Sequence, residues 1–286
     1  MDKISIPAPA KINLILNVLD KRSDGYHELE TIMHQISLID IIHIELKEES
    51  ITVESNSSLI PNGEDNLAWK AAALFMAEAG IKAGVKIFIE KNIPVGAGLA
   101  GGSTDAAAVL LGLNSLFCLE FSTPFLEDMG AVIGSDVPFC LSRGTTLARG
   151  RGELLTSVAK GPRLNLVIVV PDFQISTAEV YSDYKLENGY HLADTDAFIK
   201  AWENCDIISI ASHLGNGLET VSTQKHVEIN IIKDDLKRLG AVNALMSGSG
   251  PAVFGIFPDH NTALKATSIL RISYRQVYYV TSFYRE

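Results

Sequence analysis

Four glycines lie within seven residues, between a segment typical of a β-strand and a segment typical of an α-helix. Val85–Glu90 alternates along its length as a strand does, and 106–111 consists of good helix formers. Glycine backbone can approach a ligand closely, and N–H groups ahead of a helix N-terminus are typical of a phosphate site. The candidate phosphate-binding residues are Pro94, Val95, Gly96, Ala97, Gly98, Leu99, Ala100, Gly101, Gly102, Ser103 and Thr104.

Three interpretations of this loop are open from the loop alone. Its glycines match the dinucleotide-binding fingerprint, which also needs a second strand and an acidic residue about 20 residues on. Glu120 lies near that position, but the segment before it has the pattern of one long helix. A P-loop is disfavoured because no Lys follows the glycines. The third interpretation is structural, a tight turn that only lets a helix pack on a sheet.

Polar residues elsewhere have the types that a phosphate-handling site uses. Lys11 and Asn13 alternate with apolar residues, so both side chains lie on one face of a predicted strand. Tyr26 and His27 follow a strong Asp-Gly turn signal, and both side chains can contact a ring. Asp136 lies between a glycine and an apolar pair. Ordinary roles explain each of these residues when it is taken singly: a solvated edge Lys, half-buried rings and a turn Asp.

Composition limits the class of protein. The chain has 286 residues, of which 47% are hydrophobic and 20% charged, as in ordinary folded soluble proteins. A formal net charge of −10 argues against a general nucleic-acid binder. We expect a cytoplasmic protein with no membrane span, because no signal peptide and no apolar run of about 18 residues is present. The three cysteines form no zinc or disulfide pattern, and buried free thiols are expected at Cys118, Cys140 and Cys205.

The elements that must position these residues mix helices with hairpin-like strands, which predicts an α+β fold. The first strands are expected to break at Pro7–Ala10 and near Asp40. Ser103 and Thr104 are expected to cap the helix after the glycine loop, with Asp105 at the positive end of its dipole. Two further helices are predicted, one at 66–79 capped by Asp65 or Asn66 and one that Ser176 and Thr177 begin. Regular structure is expected to end at Pro138. Two domains, 1–160 and 161–286, are expected to join at Gly161-Pro162.

Three motifs together resemble one superfamily of small-molecule kinases. They are Pro9-Ala-Lys-Ile-Asn-Leu14, Pro94–Thr104 and Met246-Ser-Gly-Ser-Gly-Pro-Ala-Val-Phe254. The combination resembles galactokinase, homoserine kinase, mevalonate kinase and phosphomevalonate kinase, and it implies their two-domain α+β fold. The motifs Arg22-x-Asp24-Gly-Tyr-His27 and Gly134-Ser-Asp-Val-Pro-Phe139 resemble, more closely, the branch that acts on 4-diphosphocytidyl-2-C-methyl-D-erythritol in the non-mevalonate route to isoprenoid precursors. The similarity runs from about Pro7 to Val280.

The resemblance implies a role for each candidate residue. The glycine loop would wrap the phosphates of ATP, and Mg²⁺ would be carried by the nucleotide without named protein ligands. Asp136 would take the proton of the acceptor 2-hydroxyl, with the Lys11 cation beside it. The remaining assignments are substrate contacts from Asn13, Tyr26, His27 and Thr177, and an adenine-side contact from Asn66.

One departure and several alternatives remain. Ala97 and Ala100 occupy positions where some relatives carry Gly. Ala still permits N–H donation if φ is negative there, so we expect activity to survive. The alternatives are another small-alcohol kinase of the homoserine or mevalonate type, a non-catalytic sensor of ATP and a sugar-like ligand, and a nicotinamide-dependent oxidoreductase. Gly25-Tyr26-His27 argues against the first, and retention of both Lys11 and Asp136 against the second. The oligomeric state is not predicted.

Overall fold

The computed structural model describes residues 2–142, 144–185 and 191–284. The strands are β1 (Lys3–Lys21), β2 (His27–Lys47), β3 (Ile51–Ser55), β4 (Gly84–Glu90), β5 (Thr145–Gly150), β6 (Leu154–Ser157), β7 (Asn165–Val170), β8 (Gly215–Asn216), β9 (Asn243–Met246), β10 (Val253–Phe257) and β11 (Gln276–Thr281). The helices are α1 (Leu67–Glu78), α2 (Gly101–Leu116), α3 (Thr123–Ile133), α4 (Val137–Leu141), α5 (Thr177–Asp183), α6 (Thr195–Glu203), α7 (Ile207–Ser212), α8 (Glu219–Lys225), α9 (Glu228–Arg238) and α10 (His260–Leu270). The mixture of helices and antiparallel strands confirms the predicted α+β class.

The chain forms two compact units, and each is assembled from separate stretches of sequence. Unit 1 comprises Met1–Ala10, Leu38–Val95 and Ala100–Arg143. Unit 2 comprises Lys11–Ser37, Gly96–Leu99 and Gly144–Glu286. The long strands β1 and β2 therefore each contribute residues to both units. The division into domains at residues 160 and 161 stays a prediction.

In unit 1, β4 lies between two partner strands. It pairs in parallel with β3 and antiparallel with the second half of β2, from Ile41↔Glu90 to Lys47↔Gly84. The helix α2 packs against α1, α3 and α4 and is buried over most of its length, which its alanine-rich sequence permits. Gly112 faces the sheet so closely that a Cβ there would lie 2.5 Å from Ile44 Cδ1. Close packing of this kind fixes the axis of α2 and so the position of its first turn.

Unit 2 contains an antiparallel sheet in the order β11-β7-β10-β9. The strand β7 is buried from Leu166 to Val170, and α9 and α10 pack on the sheet. The first half of β2 pairs with β5, β5 pairs with β6, and β1 pairs in parallel with β8 at Ile15 and Leu16. This unit also holds the C-terminal glycine turn, which comprises residues 247–252 between β9 and β10.

The two predicted breaks in the first strands are wrong. The strand β1 runs through Pro7 and Pro9, and its pairing with β8 begins only at Ile15. A proline is tolerated where its missing N–H is not needed by a ladder. Asp40 lies inside β2 and is fully buried, where its Oδ1 accepts hydrogen bonds from the N–H groups of Asn92 at 2.5 Å and Ile93 at 2.8 Å. Asp40 therefore connects β2 to the segment that follows β4, and it is not a turn residue.

Candidate functional site

The helix after the glycine loop begins earlier than its sequence suggests. Its N-cap is Ala100, so the expectation that Ser103 and Thr104 cap it is wrong. Both lie inside the first turn, where the Thr104 hydroxyl donates to Pro9 O at 2.8 Å. The first N–H groups of a helix have no intrahelical acceptor. In α2 these groups belong to the segment that starts at Gly101, which is the arrangement that anion sites use.

At the start of this helix, Ala100 has an unusual backbone conformation and Gly101 makes close contacts. Ala100 has φ +57°, so the condition of a negative φ is not met at this residue. Gly101 is tightly packed, because a Cβ would lie 2.9 Å from Lys91 Nζ and 3.1 Å from Ile93 Cγ2 and both side chains would have to shift. Gly102 is exposed, and a Cβ there would meet only Leu67 Cδ1, at 3.5 Å. The surface at Gly102 is therefore accessible to a ligand.

The middle of the glycine loop belongs to unit 2 and packs on the C-terminal glycine turn. Gly96 and Gly98 have φ +69° and +77°, values that favour glycine. A Cβ on Gly98 would lie 2.3 Å from Ser247 O, so no other residue fits at this position. Ala252 N donates to Ala97 O at 3.1 Å. Two sequence motifs that are far apart in the chain thus form one structure.

Lys11 and Asn13 lie at this junction with their polar atoms in contact. Lys11 Nζ donates to Asn13 Oδ1 at 2.7 Å and to Gly98 O at 3.1 Å. Asn13 Nδ2 donates to Thr31 Oγ1 at 2.9 Å, and Thr31 Oγ1 donates to Ile15 O at 2.6 Å. Both Lys11 and Asn13 are 4% exposed. The sheet therefore fixes one positive charge beside the glycine loop.

The C-terminal turn approaches the same two side chains. Gly248 has φ +59°, and a Cβ there would lie 3.4 Å from Lys11 Nζ and 3.5 Å from Asn13 Oδ1. Asn216, which the sequence analysis missed, donates through Nδ2 to Met246 O and Gly248 O, both at 2.8 Å. It lies between Gly215 and Gly217, outside the three motifs on which the sequence analysis relied. Asn216 is buried and fixes the turn next to Lys11.

Asp136 lies in unit 1, directly before the short helix α4. The predicted end of regular structure at Pro138 is wrong, because Pro138 lies in the first turn of α4. A proline is tolerated there, since the missing N–H would have no helical acceptor. The residues that follow Asp136, from Val137 to Leu141, are all buried. The backbone at Asp136 is therefore anchored by the packing of α4.

Asn66 is the N-cap of α1, one of the two predicted caps. Its Oδ1 accepts a hydrogen bond from Ala68 N at 2.8 Å, and its Nδ2 donates to Pro61 O at 2.7 Å. An amide can accept and donate more than one hydrogen bond per atom. The contact with adenine stays a prediction, and the observed role of Asn66 in unit 1 is to begin the helix.

His27 lies in unit 2 among aromatic rings that the sequence analysis did not single out. Its ring centroid is 5.4 Å from that of Tyr181 and 6.3 Å from that of Tyr184. Burial lowers the pKa of His27, and the charge of Lys21 lowers it further. The neutral imidazole, with one donor and one acceptor nitrogen, is therefore favoured at neutral pH.

Thr177 and Tyr26 are both exposed in unit 2, and their surroundings differ. Thr177 is the first residue of α5, and its Oγ1 lies 2.7 Å from Ser249 Oγ in the C-terminal glycine turn. Tyr26 is 53% exposed at the turn between β1 and β2. Since α5 also carries Tyr181, one short helix contacts both His27 and the turn that approaches Lys11.

A buried charged triad anchors the same helix α2 within unit 1. Lys91 Nζ lies 2.6 Å from Asp40 Oδ2 and 2.7 Å from Asp105 Oδ2. Asp105 lies beyond the first turn of α2 and contacts Lys91, so its predicted role at the positive end of the dipole is wrong. Burial raises the pKa of Asp105 to about 8, the Asp40 charge acts in the same direction, and the Lys91 cation opposes both. Among the described residues no hydrogen-bond partner is found for Asp105 Oδ1.

Two further observations concern the described residues as a set. No group of three or more His, Cys, Asp and Glu side chains among them is placed to hold a metal ion. Within residues 2–142, 144–185 and 191–284, no helix has the length and apolar character needed to cross a membrane. Cys140 is buried, but Cys118 and Cys205 are exposed, so the expectation of three buried thiols is wrong for two of them.

Comparison with known proteins adds family information to this geometry. The model of the GHMP kinases N terminal domain matches residues 66–144, and that of the GHMP kinases C terminal domain matches residues 200–276. A 4-diphosphocytidyl-2-C-methyl-D-erythritol kinase from Syntrophomonas wolfei is 54% identical over 98% of this chain and 98% of its own. One of the same name from Clostridioides difficile is 46% identical over 99% and 96%.

Solved structures agree with these matches. A crystal structure of 4-(cytidine 5'-diphospho)-2C-methyl-D-erythritol kinase superposes with a TM-score of 0.84 at 34% identity, over 98% of this chain and 100% of that one. Homoserine kinase from Cytophaga hutchinsonii superposes with a TM-score of 0.78 at 18% identity, over 99% and 95%. At that lower identity the likeness concerns the fold alone.

Proposed function

The chain belongs to the 4-diphosphocytidyl-2-C-methyl-D-erythritol kinase family of the GHMP kinases, and on that premise we propose its reaction. It transfers the terminal phosphoryl group of ATP to the 2-hydroxyl of 4-diphosphocytidyl-2-C-methyl-D-erythritol. This step belongs to the non-mevalonate route to isoprenoid precursors. The glycine-loop residues, Pro94–Thr104, bind the ATP phosphates.

The observation that carries the proposal is the cluster around Lys11 in unit 2. Phosphoryl transfer depends on positioning and on charge stabilisation more than on covalent chemistry by the protein. Lys11 Nζ is held between Asn13 Oδ1 and Gly98 O, so the cation is fixed at the glycine loop. A preorganised charge needs no reorganisation when the transition state forms. The cluster therefore supports a role for Lys11 in stabilising the transferring group.

We assign the proton transfer to Asp136. In the proposed step the acceptor oxygen forms a bond to the γ-phosphorus, and the bond from that phosphorus to the bridging oxygen of ADP breaks. The hydroxyl proton passes to the Asp136 carboxylate, and ADP leaves. General-base assistance of this kind contributes about 10²–10⁴-fold to a rate. Lys11 serves the same step through its charge.

The acceptor is recognised by residues of unit 2. We propose that Tyr26 stacks on the cytosine ring and that His27 binds the polar edge of the ring. Thr177 and Asn13 contact the remainder of the same substrate. The support is the contact of His27 with Tyr181 of α5 and the contact of Thr177 with Ser249. A neutral His27 offers both a donor and an acceptor, as the cytosine edge requires.

Magnesium enters this proposal as an ion bound to the nucleotide. Mg²⁺ keeps several waters and is commonly held by substrate phosphates with one or two carboxylates. The described residues contain no dedicated cluster for a metal. When bound, the ion would neutralise charge on the phosphates. Asn66, at the start of α1, is our candidate for the adenine side of the nucleotide.

An ADP-release assay against a panel of alcohols tests the proposal. The panel contains 4-diphosphocytidyl-2-C-methyl-D-erythritol, homoserine and mevalonate, each with Mg²⁺ and ATP. We expect turnover with the cytidylyl acceptor only, and ³¹P spectra of the product should show a new phosphomonoester. Turnover of homoserine or mevalonate alone would identify another branch of the superfamily. Tight binding of ATP and acceptor without any turnover would identify a sensor.

A further inference from the structure

Two turns of unit 2 meet beside Tyr26 and are joined by one carboxylate. The first connects β1 to β2, where Arg22 N donates to Tyr26 O at 2.8 Å and Tyr26 N donates to Asp24 Oδ1 at 3.1 Å. The second connects β5 to β6. Glu28 accepts a hydrogen bond from Arg22 Nη1 at 2.7 Å on one oxygen and from Gly150 N at 3.1 Å on the other. The two turns are therefore fixed relative to each other.

The second turn places an arginine on the tyrosine ring. Arg151 Cζ lies over the ring of Tyr26, 4.9 Å from its centroid. The backbone N–H of Arg151 donates to Glu153 Oε2 at 2.6 Å, which fixes the base of this side chain. Arg151 Nε lies 3.9 Å from Glu153 Oε1. A planar guanidinium packs well on an aromatic face, which an ammonium group does less well.

We infer that Arg151 is a positioning residue for the substrate base, acting through Tyr26. The inference rests on the proposed function, in which Tyr26 stacks on cytosine. An exposed Tyr side chain turns about two torsions, and the arginine on one face restricts that motion. The ring is then held ready to receive a base on its other face. Preorganisation of this kind improves affinity because less ordering remains to be done on binding.

The local charges favour this role over direct pairing of Arg151 with the substrate diphosphate. Glu153 lies beside the guanidinium, and Asp24 lies in the adjacent turn. Two carboxylates so close to Arg151 would repel an incoming phosphate and offset part of its attraction. A guanidinium engaged with Glu153 and with the Tyr26 ring therefore acts mainly on that ring.

Binding of cytidine, which lacks any phosphate, separates the two roles. Calorimetry would compare wild type with Arg151→Ala, Arg151→Lys, Tyr26→Ala and the Arg151→Ala/Tyr26→Ala double variant. We expect Arg151→Ala to weaken cytidine binding about two- to five-fold, the range of an exposed cation–π contact. Arg151→Lys should recover part of this loss. In the Tyr26→Ala variant, removal of Arg151 should not weaken cytidine binding further, because Arg151 acts on the base only through the Tyr26 ring.

Kinetics supply a second readout and a control. Arg151→Ala should raise KM for the cytidylyl acceptor while kcat and KM for ATP stay unchanged. Arg238→Ala removes an exposed arginine on α9 that pairs with Asp235, and it should alter none of these values. Unchanged cytidine affinity in Arg151→Ala, or fully additive losses in the double variant, would overturn the inference. If wild type binds no cytidine, the proposed acceptor is wrong and the inference fails with it.

Discussion

Among single residues, Lys11 and Asp136 carry the charges on which the proposed transfer depends. Asp136→Asn should lower kcat by about 10²–10⁴-fold with little change in KM for either substrate. Lys11→Ala should also lower kcat, because the cation held by Asn13 and Gly98 is lost. Since residues that act as a unit are not additive, the double variant should lose much less than the product of the single losses. Steady-state kinetics on all three variants measure this.

Two substitutions on α9 serve as matched controls for that pair. Asp234→Asn and Lys237→Ala remove the same charges at exposed positions of one helix. Both should keep wild-type kcat. Losses that multiply fully in the Lys11 and Asp136 double variant would show that the two residues act on separate steps.

The phosphate role of the glycine loop is best tested at Gly102. A side chain at Gly98 would collide with Ser247 O, so Gly98→Val would disturb the fold of the loop as well as any ligand site. Gly102 is exposed and has room for a side chain beside Leu67. Gly102→Val should leave the fold intact and raise KM for ATP by about ten-fold or more, because the added methyl groups cover the N–H groups of the first helical turn.

Its control is Ala77→Val, which adds the same β-branched side chain at an exposed position of α1 in the same unit. This variant should bind ATP as wild type does, and circular dichroism should show equal helix content in both. Unchanged ATP affinity in a folded Gly102→Val protein would contradict the assignment of the loop to phosphate binding.

Among the elements, the start of α2 stores conformational strain. Ala100 has φ +57°, and the left-handed region costs a residue with a Cβ about 1–2 kcal/mol. Ala100→Gly relieves this cost and loses about 0.5–1 kcal/mol through the greater freedom of the unfolded chain. We expect a net gain of up to about 1.5 kcal/mol in the free energy of unfolding, measured with urea. Ala97→Gly, at a buried position without positive φ, should instead destabilise the protein.

Elements set by local chemistry were predictable from the sequence, and elements set by distant contacts were not. Asn66 caps α1 through its own side chain, so the local pattern located that helix start. The start of α2 is fixed by packing of Gly101 against Lys91 and Ile93, which a local propensity scale cannot see. The same scale favoured Ser103 and Thr104 as caps. Glycines are poor helix formers, so the first turn of α2 was missed.

The candidate site shows the same division. Lys11, Asn13 and the glycine loop were predicted because their motifs resemble those of a known superfamily, and their functional roles stay a prediction. Asn216 was missed because it acts through two hydrogen bonds, both to a turn that lies some thirty residues further along the chain. Arg151 was missed because its partner, Tyr26, lies on another hairpin turn. Neither contact leaves a periodic signal in the sequence.

For the molecule as a whole, one buried histidine should make stability depend on pH. His34 lies between Thr145 Oγ1 at 2.8 Å and Ser282 Oγ at 2.9 Å, and so joins β2, β5 and the C-terminal segment. Burial lowers the pKa of His34 to about 3. In the unfolded chain its pKa is about 6.5. The stability that the neutral ring provides is therefore complete above pH 6.5 and is lost as pH falls toward 3.

Below pH 6.5, the pKa of this histidine in the unfolded chain, the free energy of unfolding should fall by about 1.4 kcal/mol for each pH unit. Urea unfolding at pH 5, 5.5, 6 and 6.5 would measure it before most carboxylates titrate. His34→Gln should be less stable at pH 7 but should lose this slope, because Gln does not titrate. An equal slope in the variant would show that another group is responsible.

The division of the chain into interleaved units bears on how a nascent chain folds. All segments of unit 1 have been synthesised once the ribosome reaches Arg143, whereas unit 2 needs strands β7, β9, β10 and β11. The segment that contains Lys11 is thus synthesised early, whereas the strands that complete its unit are synthesised late. Until β11 emerges, the buried apolar positions of β1 and β2 in that unit lack part of their core. Translation that ends early would leave these strands exposed, and such intermediates are prone to aggregate.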